Sequence, residues 1–394
     1  MRIRYLVRNV YTGGGTARTV VNQANALCAE HDVEIASVYR PRETSRYAID
    51  PRVRLRPLTD LRPDGSRRAE RRGTRTSRQL ARLRQLPNPL PHRHDNRFRR
   101  WDPAVDVAVI RYLRAVEGDV LVTTRPGLHI LAARFGNRDI VRVAQEHMNF
   151  TAYAPHQRRA ITRAFRRLDA VVTLTAGDRE QYARVLSGSG VELANIPNAF
   201  TPHDQPAAQR TGKVIVAAGR LHPQKGFDLL LQAFAIVSAK HPDWQLRIYG
   251  SGAERNDLAA LSEQLGLGDR ARLMGKSDRL LRRMAEGSIF ALSSRYEGFP
   301  MVLLEAMSTA LPVVSFDCPT GPGEIVTPGV DGLLVAPNDV AALAAAISEL
   351  IEDEPRRNAM GAAALEKADT YSMSRIMPMW ERLFAQLSRA KQAA

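Results

Sequence analysis

The chain has 394 residues, 44% of them hydrophobic and 25% charged, which is the composition of a soluble globular protein with room for two domains. Its two cysteines, Cys28 and Cys318, lie far apart, which excludes a disulfide framework and a cysteine-built zinc site. The net charge of +16 is uneven: residues 1–200 carry 36 Arg, no Lys and 19 acidic residues, and residues 62–100 alone carry 13 Arg against Asp64, Glu70 and Asp95.

Such a basic stretch attracts polyanions: nucleic acid, anionic lipid headgroups or a phosphorylated acceptor. The plain alternative is a solvated face. No apolar run is long enough to span a bilayer, and the N-terminus, with Arg2, Arg4 and Arg8, is too short and charged for a secretory signal. A cytoplasmic protein is expected, one that touches a membrane at most from its inner face.

In chain order, residues 2–10 read as a strand, Gly13-Gly14-Gly15 as a turn, and 16–29 as a helix. Residues 33–39 give the next strand. The arginine-rich segment interrupts the pattern; 66–86 reads as a basic helix with Leu80, Leu83 and Leu86 on one side, ended by Pro87, Pro89 and Pro91. Strands are expected at 119–124, 140–145 and 170–175, with helices at 154–167 and 178–186. The half closes on Pro197-Asn198, and 201–212 is a linker. A second series follows, with strands at 214–218, 244–249, 288–292 and 312–316. Its helices are expected at 227–240, 254–265, 300–309, 340–352, 356–370 and 374–390.

Strands alternating with helices mean parallel sheets covered on both faces. The fold class expected is α/β, two doubly wound Rossmann-like domains facing a cleft, with boundaries at 1–200 and 201–374. The last helix, 375–394, is expected to complete the first domain. Ligands of such sheets lie beyond the carboxyl ends of the strands.

Two constellations carry chemistry. Gly219-Arg220-Leu221-His222-Pro223-Gln224-Lys225-Gly226 joins a strand to a helix. Glycine lets the backbone approach an anion, and Arg220 and Lys225 add two fixed charges suited to a diphosphate. Two surface cations at a turn are the plain alternative. In Glu297-Gly298-Phe299-Pro300-Met301-Val302-Leu303-Leu304-Glu305, one carboxylate stands at the mouth of a helix and the other two turns inside it. A buried carboxylate needs donors, which sugar hydroxyls supply: a ribose for Glu305, a donor sugar for Glu297.

With both constellations present, the chain resembles the retaining, nucleotide-sugar-dependent glycosyltransferases of the E-x7-E type, with GT-B architecture. That family's G-R-x-x-x-x-K-G appears as Gly219, Arg220, Lys225 and Gly226. Its E-G-F-P-x-x-x-x-E appears as Glu297, Gly298, Phe299, Pro300 and Glu305. Tyr249-Gly250-Ser251-Gly252 looks like the turn near the nucleotide, 328–335 like the late turn and strand, and Asn198 like the end of the N-domain. Gly13, Gly14 and Gly15 fit the family's first glycine-rich loop, and His147 its active-site histidine, which holds the donor sugar. The segment 317–325 departs from the commonest family pattern, in a form suggesting transferases that build cell-surface polysaccharides; Cys318 within it reads as a packed thiol.

The resemblance implies sugar transfer with retained configuration from a nucleotide sugar, with UDP-sugar the expected donor, to a glycan, lipid-linked or phosphate-rich acceptor bound by the N-domain. His147, Arg220, Lys225 and Glu297 are the expected catalytic residues. No aspartate-x-aspartate pair is present, so no metal and no cofactor are expected, and Arg220, Lys225 and a helix N-terminus supply the electrostatics.

Three other classes compete. A nucleotide-sugar epimerase, or another enzyme of this architecture, would act without a glycan acceptor. A dehydrogenase would want G-x-G-x-x-G, but position 18 is Arg18. A nucleic-acid-binding protein would want a stacking platform, and the basic stretch offers only Phe98 and Trp101, so no nucleic-acid partner is expected. An anionic membrane surface is the partner expected for that stretch.

Overall fold

The computed structural model describes residues 1–62, 101–200 and 207–393. The expected basic helix at 66–86, the prolines behind it and the first half of the linker lie outside the described residues. The chain divides into two compact units, Met1–Ala199 with Ile376–Ala394, and Phe200–Arg375.

In the first unit, β1 (Arg2–Val7) leads through the glycine loop into α1 (Gly15–Leu27) and then β2 (Asp32–Arg40). Ile3, Tyr5, Leu6 and Val7 are all buried. A strand apolar on both faces belongs in the middle of a parallel sheet. It pairs with β2 in the register Arg2 opposite Asp32 through Val7 opposite Ser37. β3 (Arg54–Asp60) pairs outside β2. Then come α2 (Pro103–Ala115), β4 (Val120–Thr123), α3 (Pro126–Phe135), β5 (Val141–Gln145), α4 (Pro155–Phe165), β6 (Ala170–Thr173), α5 (Ala176–Leu186) and β7 (Glu192–Asn195). α2 starts where it does because the Asp102 carboxylate accepts the amides of Ala104 and Val105 at 2.9 and 3.0 Å and Pro103 fills the first helical position.

The seven strands run in the order β3-β2-β1-β4-β5-β6-β7, all pairs parallel. The order reverses between β1 and β4, so the loops after those strands open at the switch point where such sheets bind ligands.

Trp101 belongs to this unit's core. It is 7% exposed, stands edge-on to Tyr39 with centroids 6.0 Å apart, and donates its indole N–H to Asp106 at 2.5 Å. It is therefore withdrawn from the surface that the sequence reading lent to a membrane.

The second unit repeats the scheme. β8 (Val214–Ala218), α6 (Phe227–Lys240), β9 (Gln245–Tyr249), α7 (Arg255–Gln264), β10 (Ala271–Gly275), β11 (Ile289–Leu292), α8 (Met301–Met307), β12 (Val313–Phe316) and β13 (Gly332–Val335) follow in turn, then α9 (Val340–Glu352) and α10 (Glu354–Asp369). Strand order is β10-β9-β8-β11-β12-β13, again all parallel, with the switch between β8 and β11. Phe227, Phe234, Trp244 and Phe316 anchor its core.

The last helix, α11 (Met373–Ala393), passes into the first unit at Ile376. Trp380 and Phe384 are fully buried there. Glu381 meets the His31 ring at 3.2 Å, and Lys391 donates to Asp169 at 2.7 Å. No described helix is long and apolar enough to cross a membrane.

Candidate functional site

In the second unit, the loop 219–226 leaves β8 and the segment 293–300 leaves β11, the two strands at the switch point. Three loops are tied together there. The Gly219 amide donates to Tyr249 O at 2.9 Å and the Leu221 amide to Ser251 O at 3.0 Å, so the loop after β8 lies along the one after β9. A Cβ on Gly250 would stand 1.7 Å from Gly219 O, and only a residue without one permits that approach. Gly252 lies in the same turn, beside Leu221.

On the other side, the Ser293 hydroxyl donates to Lys225 O at 3.0 Å, the Gln224 amide group to Tyr296 O at 3.0 Å, and the Arg295 amide to Gln224 O at 2.9 Å. Gly226 has φ 60° and would place a Cβ 2.1 Å from Ser293 O. Both its conformation and the close approach require glycine.

This lacing brings together residues 72 positions apart. Lys225 Nζ lies 2.5 Å from Glu297 Oε1, and the same oxygen accepts the Ser294 hydroxyl at 2.6 Å. The lysine and glutamate side chains are 14% and 8% exposed, so the pair is largely removed from water. Thr320 donates its hydroxyl to Glu297 O at 2.8 Å. Arg220 is different: it is exposed and makes no hydrogen bond or ion pair with any described residue. A paired ammonium held in place beside an uncompensated guanidinium is an arrangement ready for an anion.

Gly298, Phe299 and Pro300 lead into α8, with the Phe299 ring 5.9 Å from Tyr371. Glu305 sits inside α8, 8% exposed. The thiol of Cys318 is buried and pushed up to about 12 by that burial, reinforced by the Glu297 charge. It is a packed thiol, not a nucleophile.

In the first unit, His147 follows β5. Burial, with the Arg125 charge adding to it, lowers its ring to about 3, so the imidazole is neutral at neutral pH. Its Nε2 has no partner among the described residues. The loop that carries it is held by Glu146, whose Oε1 accepts the amides of His147 and Met148 at 3.0 and 3.3 Å and the Tyr153 hydroxyl at 2.7 Å. Tyr182 donates to the other oxygen at 3.3 Å. Burial pushes the Glu146 carboxyl up to about 7 against these donors, and the nearby Asp178 charge adds to the rise.

Asn198 is buried, and its Oδ1 has no partner among the described residues. Gly13, Gly14 and Gly15 form an exposed loop whose Gly14 amide donates to the Tyr47 hydroxyl at 2.9 Å. Among the described residues no hydrogen bond joins His147, Asn198 and this loop.

The sequence reading missed several supporting residues. Arg295 makes a double hydrogen bond to Asp228 at 2.9 and 2.6 Å and also donates to Pro223 O, which fixes the phosphate-loop candidate from outside. No spacing signals such a pair. Glu146, by contrast, is adjacent to His147, and a carboxylate at a buried strand end is a signal that could have found it.

Residues 200–367 match the family described as Glycosyl transferases group 1. The chain is 36% identical over 389 residues to an exopolysaccharide phosphotransferase of Streptomyces coelicolor, covering 98% of this chain and 41% of that protein. It thus spans less than half of that relative's length. It is 30% identical over 241 residues to an amylovoran biosynthesis glycosyltransferase of Erwinia amylovora, covering 60% of this chain and 67% of the other. Its fold matches the crystal structure of a point mutant of TarM from S. aureus in complex with fondaparinux, α-GlcNAc-glycerol and UDP. That match has a TM-score of 0.77 at 15% identity and covers 98% of this chain and 100% of the other.

Proposed function

The chain belongs to the GT-B glycosyltransferases, and from that premise we propose that it transfers a sugar from a UDP-sugar to a hydroxyl of a cell-surface glycan, lipid-linked or polymer acceptor, with retention of configuration. The observation that carries the donor reading is the Lys225–Glu297 pair beside Arg220, which has no partner among the described residues, at the switch point of the second unit's sheet. The first unit is assigned the acceptor and the second the donor.

The roles follow from chemistry. The diphosphate is assigned to the backbone of Gly219 and to Arg220 and Lys225, whose charges stabilise the negative charge that builds on the departing phosphate. That makes the reaction metal-independent. Glu297 is assigned to hydroxyls of the transferred sugar and, through its contact with Lys225, sets where that ammonium stands. Glu305, Gly250 and Gly252 are assigned to the nucleoside, and Gly298, Phe299 and Pro300 hold Glu297 at the mouth of α8. His147 with its neutral ring, Asn198 and the Gly13–Gly15 loop are assigned to sugar and acceptor. The acceptor hydroxyl attacks on the face from which the leaving group departs, and its proton passes to the leaving phosphate.

The enzyme is read as cytoplasmic, meeting anionic lipid at the inner face of the membrane through residues 62–100. A screen of UDP- and GDP-sugars one at a time, read by mass spectrometry and thermal protection, tests the donor. Protection by GDP-sugars alone would overturn the UDP assignment. Rearranged sugar nucleotide formed without any acceptor would favour the epimerase reading.

A further inference from the structure

The segment that follows β12 holds one residue in a backbone conformation its side chain disfavours. Among the described residues four non-glycines have positive φ, namely Arg210, Ala310, Thr320 and Asn338, and only Thr320, at φ 58°, is β-branched. A branched Cβ crowds the backbone in that region, so such a residue stays there only when its surroundings fix it.

The surroundings of Thr320 are the donor motif. Its hydroxyl donates to Glu297 O at 2.8 Å and lies equally close to Pro319 O. The next residue presses on the same stretch: a Cβ on Gly321 would stand 2.6 Å from Pro300 Cδ and 3.5 Å from both Glu297 Cβ and Gly298 O. Pro319 and Pro322 flank the two residues and narrow the conformations open to them. Both ends of the turn are anchored. The Asp317 amide donates to Val335 O at 2.8 Å, and a Cβ on Gly323 would meet Asp317 Oδ1 at 2.7 Å. Further on, the Tyr371 hydroxyl donates to Glu324 O at 3.1 Å while its ring faces Phe299. Glu297 is therefore held at two points, its carboxylate by Lys225 and Ser294 and its carbonyl by Thr320.

We propose that Thr320 is a positioning residue for the sugar-binding carboxylate: its hydroxyl locks the Glu297 backbone so that the carboxylate stands at one place beside Lys225, and the strained turn is the stability cost of that lock. Two heavy atoms on Cβ make χ1 stiff, so the hydroxyl stays aimed at Glu297 O. Glycine or asparagine would adopt this backbone with less strain, but neither offers a stiff hydroxyl. The inference rests on the reading of Glu297 as the group that meets the transferred sugar, and it adds the residue that sets its place.

Three variants of the full chain separate strain from hydroxyl. Thr320→Ala and Thr320→Gly both lose the hydroxyl, and only alanine keeps a Cβ; Thr320→Ser keeps the hydroxyl without the branch. Thr320→Gly should melt about 2–4 °C above Thr320→Ala, because glycine accepts a positive φ freely. At an unstrained position the order reverses, since glycine gives the looser unfolded chain. The Lys225–Glu297 coupling is then read from urea unfolding of Lys225→Met and Glu297→Gln, singly and together, in the Thr320→Ala background. It should be smaller than in the parent background and recover in Thr320→Ser. A hydroxyl that only fills space would not move it.

UDP binding is measured by calorimetry; its absence would count against the donor reading, while midpoints and coupling still judge the turn. With UDP bound by the parent, UDP release is followed from UDP-glucose or UDP-N-acetylglucosamine, whichever the parent turns over faster. Release should slow by about 10- to 100-fold in Thr320→Ala and Thr320→Gly at unchanged UDP affinity, since a misplacement of about 1 Å costs roughly 10²-fold. Thr320→Ser should keep most of the rate. Thr320→Gly is thus expected to outlast Thr320→Ala on heating and still be slow. A Thr320→Gly midpoint at or below that of Thr320→Ala, a coupling unaffected by loss of the hydroxyl, or turnover at the parent rate in both hydroxyl-free variants overturns the assignment.

Discussion

Lys225→Met removes the ammonium from the candidate donor site while keeping most of the chain's bulk. In the structure Nζ is 2.5 Å from Glu297 Oε1, and neither side chain is more than 14% exposed. With charge centres about 4 Å apart, at an effective dielectric near 20, the attraction is about 4 kcal/mol before desolvation. Taking one partner from a buried pair leaves the other uncompensated, which costs about 3–5 kcal/mol. Here the Ser294 hydroxyl still serves the carboxylate, so the low end, about 3 kcal/mol, is expected. Lys225→Met with Glu297→Gln removes both charges and should return to within about 1 kcal/mol of the parent, since a pair in contact is strongly non-additive. Urea unfolding of the four proteins gives the cycle. Transfer assays should find both Lys225→Met proteins slowed by about 10²–10³, because the leaving-group charge is missing in each. Equal stabilities for the single and double variants would refute the buried-pair reasoning; a double variant with normal turnover would refute the catalytic one.

Glu146→Gln tests the raised carboxyl at the His147 loop. A carboxyl near 7 in the folded protein and near 4.5 unfolded binds its proton more tightly when folded, so its contribution to stability is full below about 4.5 and falls as pH rises towards 7. The variant should therefore gain on the parent between pH 5 and 8 in urea midpoints, and parallel pH profiles would contradict this. Activity should survive a chelator; a chelator-dead enzyme rescued by manganese would overturn metal independence. Co-sedimentation with anionic vesicles should fall with salt and vanish when Arg67, Arg68, Arg71 and Arg72 become Glu, whereas no binding at low salt would leave the basic stretch as surface decoration.

The sequence was most legible where apolar periodicity and glycine punctuation agree. Residues 214–218 and 227–240 match β8 and α6 end to end, because buried runs there stop at Gly219 and start after Gly226. β3 escaped notice. Its Arg54-Leu55-Arg56-Pro57 start is exposed, as an edge strand allows, and gives no hydrophobic alternation. β10, the edge of the other sheet, was missed for the same reason. The motif glycines and charges of the donor loop were readable as a strand-to-helix turn. The Lys225–Glu297 and Arg295–Asp228 contacts were not, because they depend on β8 and β11 lying side by side although β9 and β10 separate them in the chain. The same holds for Tyr182, which reaches Glu146 from α5.

The central claim is that the donor diphosphate rests on the loop after β8. Calorimetric titration of UDP into the parent, Arg220→Ala and Glu297→Ala tests it most directly. Arg220 is exposed and has no partner among the described residues, so its removal is expected to leave the fold alone and any change in UDP affinity to report on the phosphate. The account predicts UDP binding that weakens about tenfold or more in Arg220→Ala, as expected for a lost charge-assisted contact, and is largely kept in Glu297→Ala. Equal UDP affinity in the parent and Arg220→Ala would contradict it.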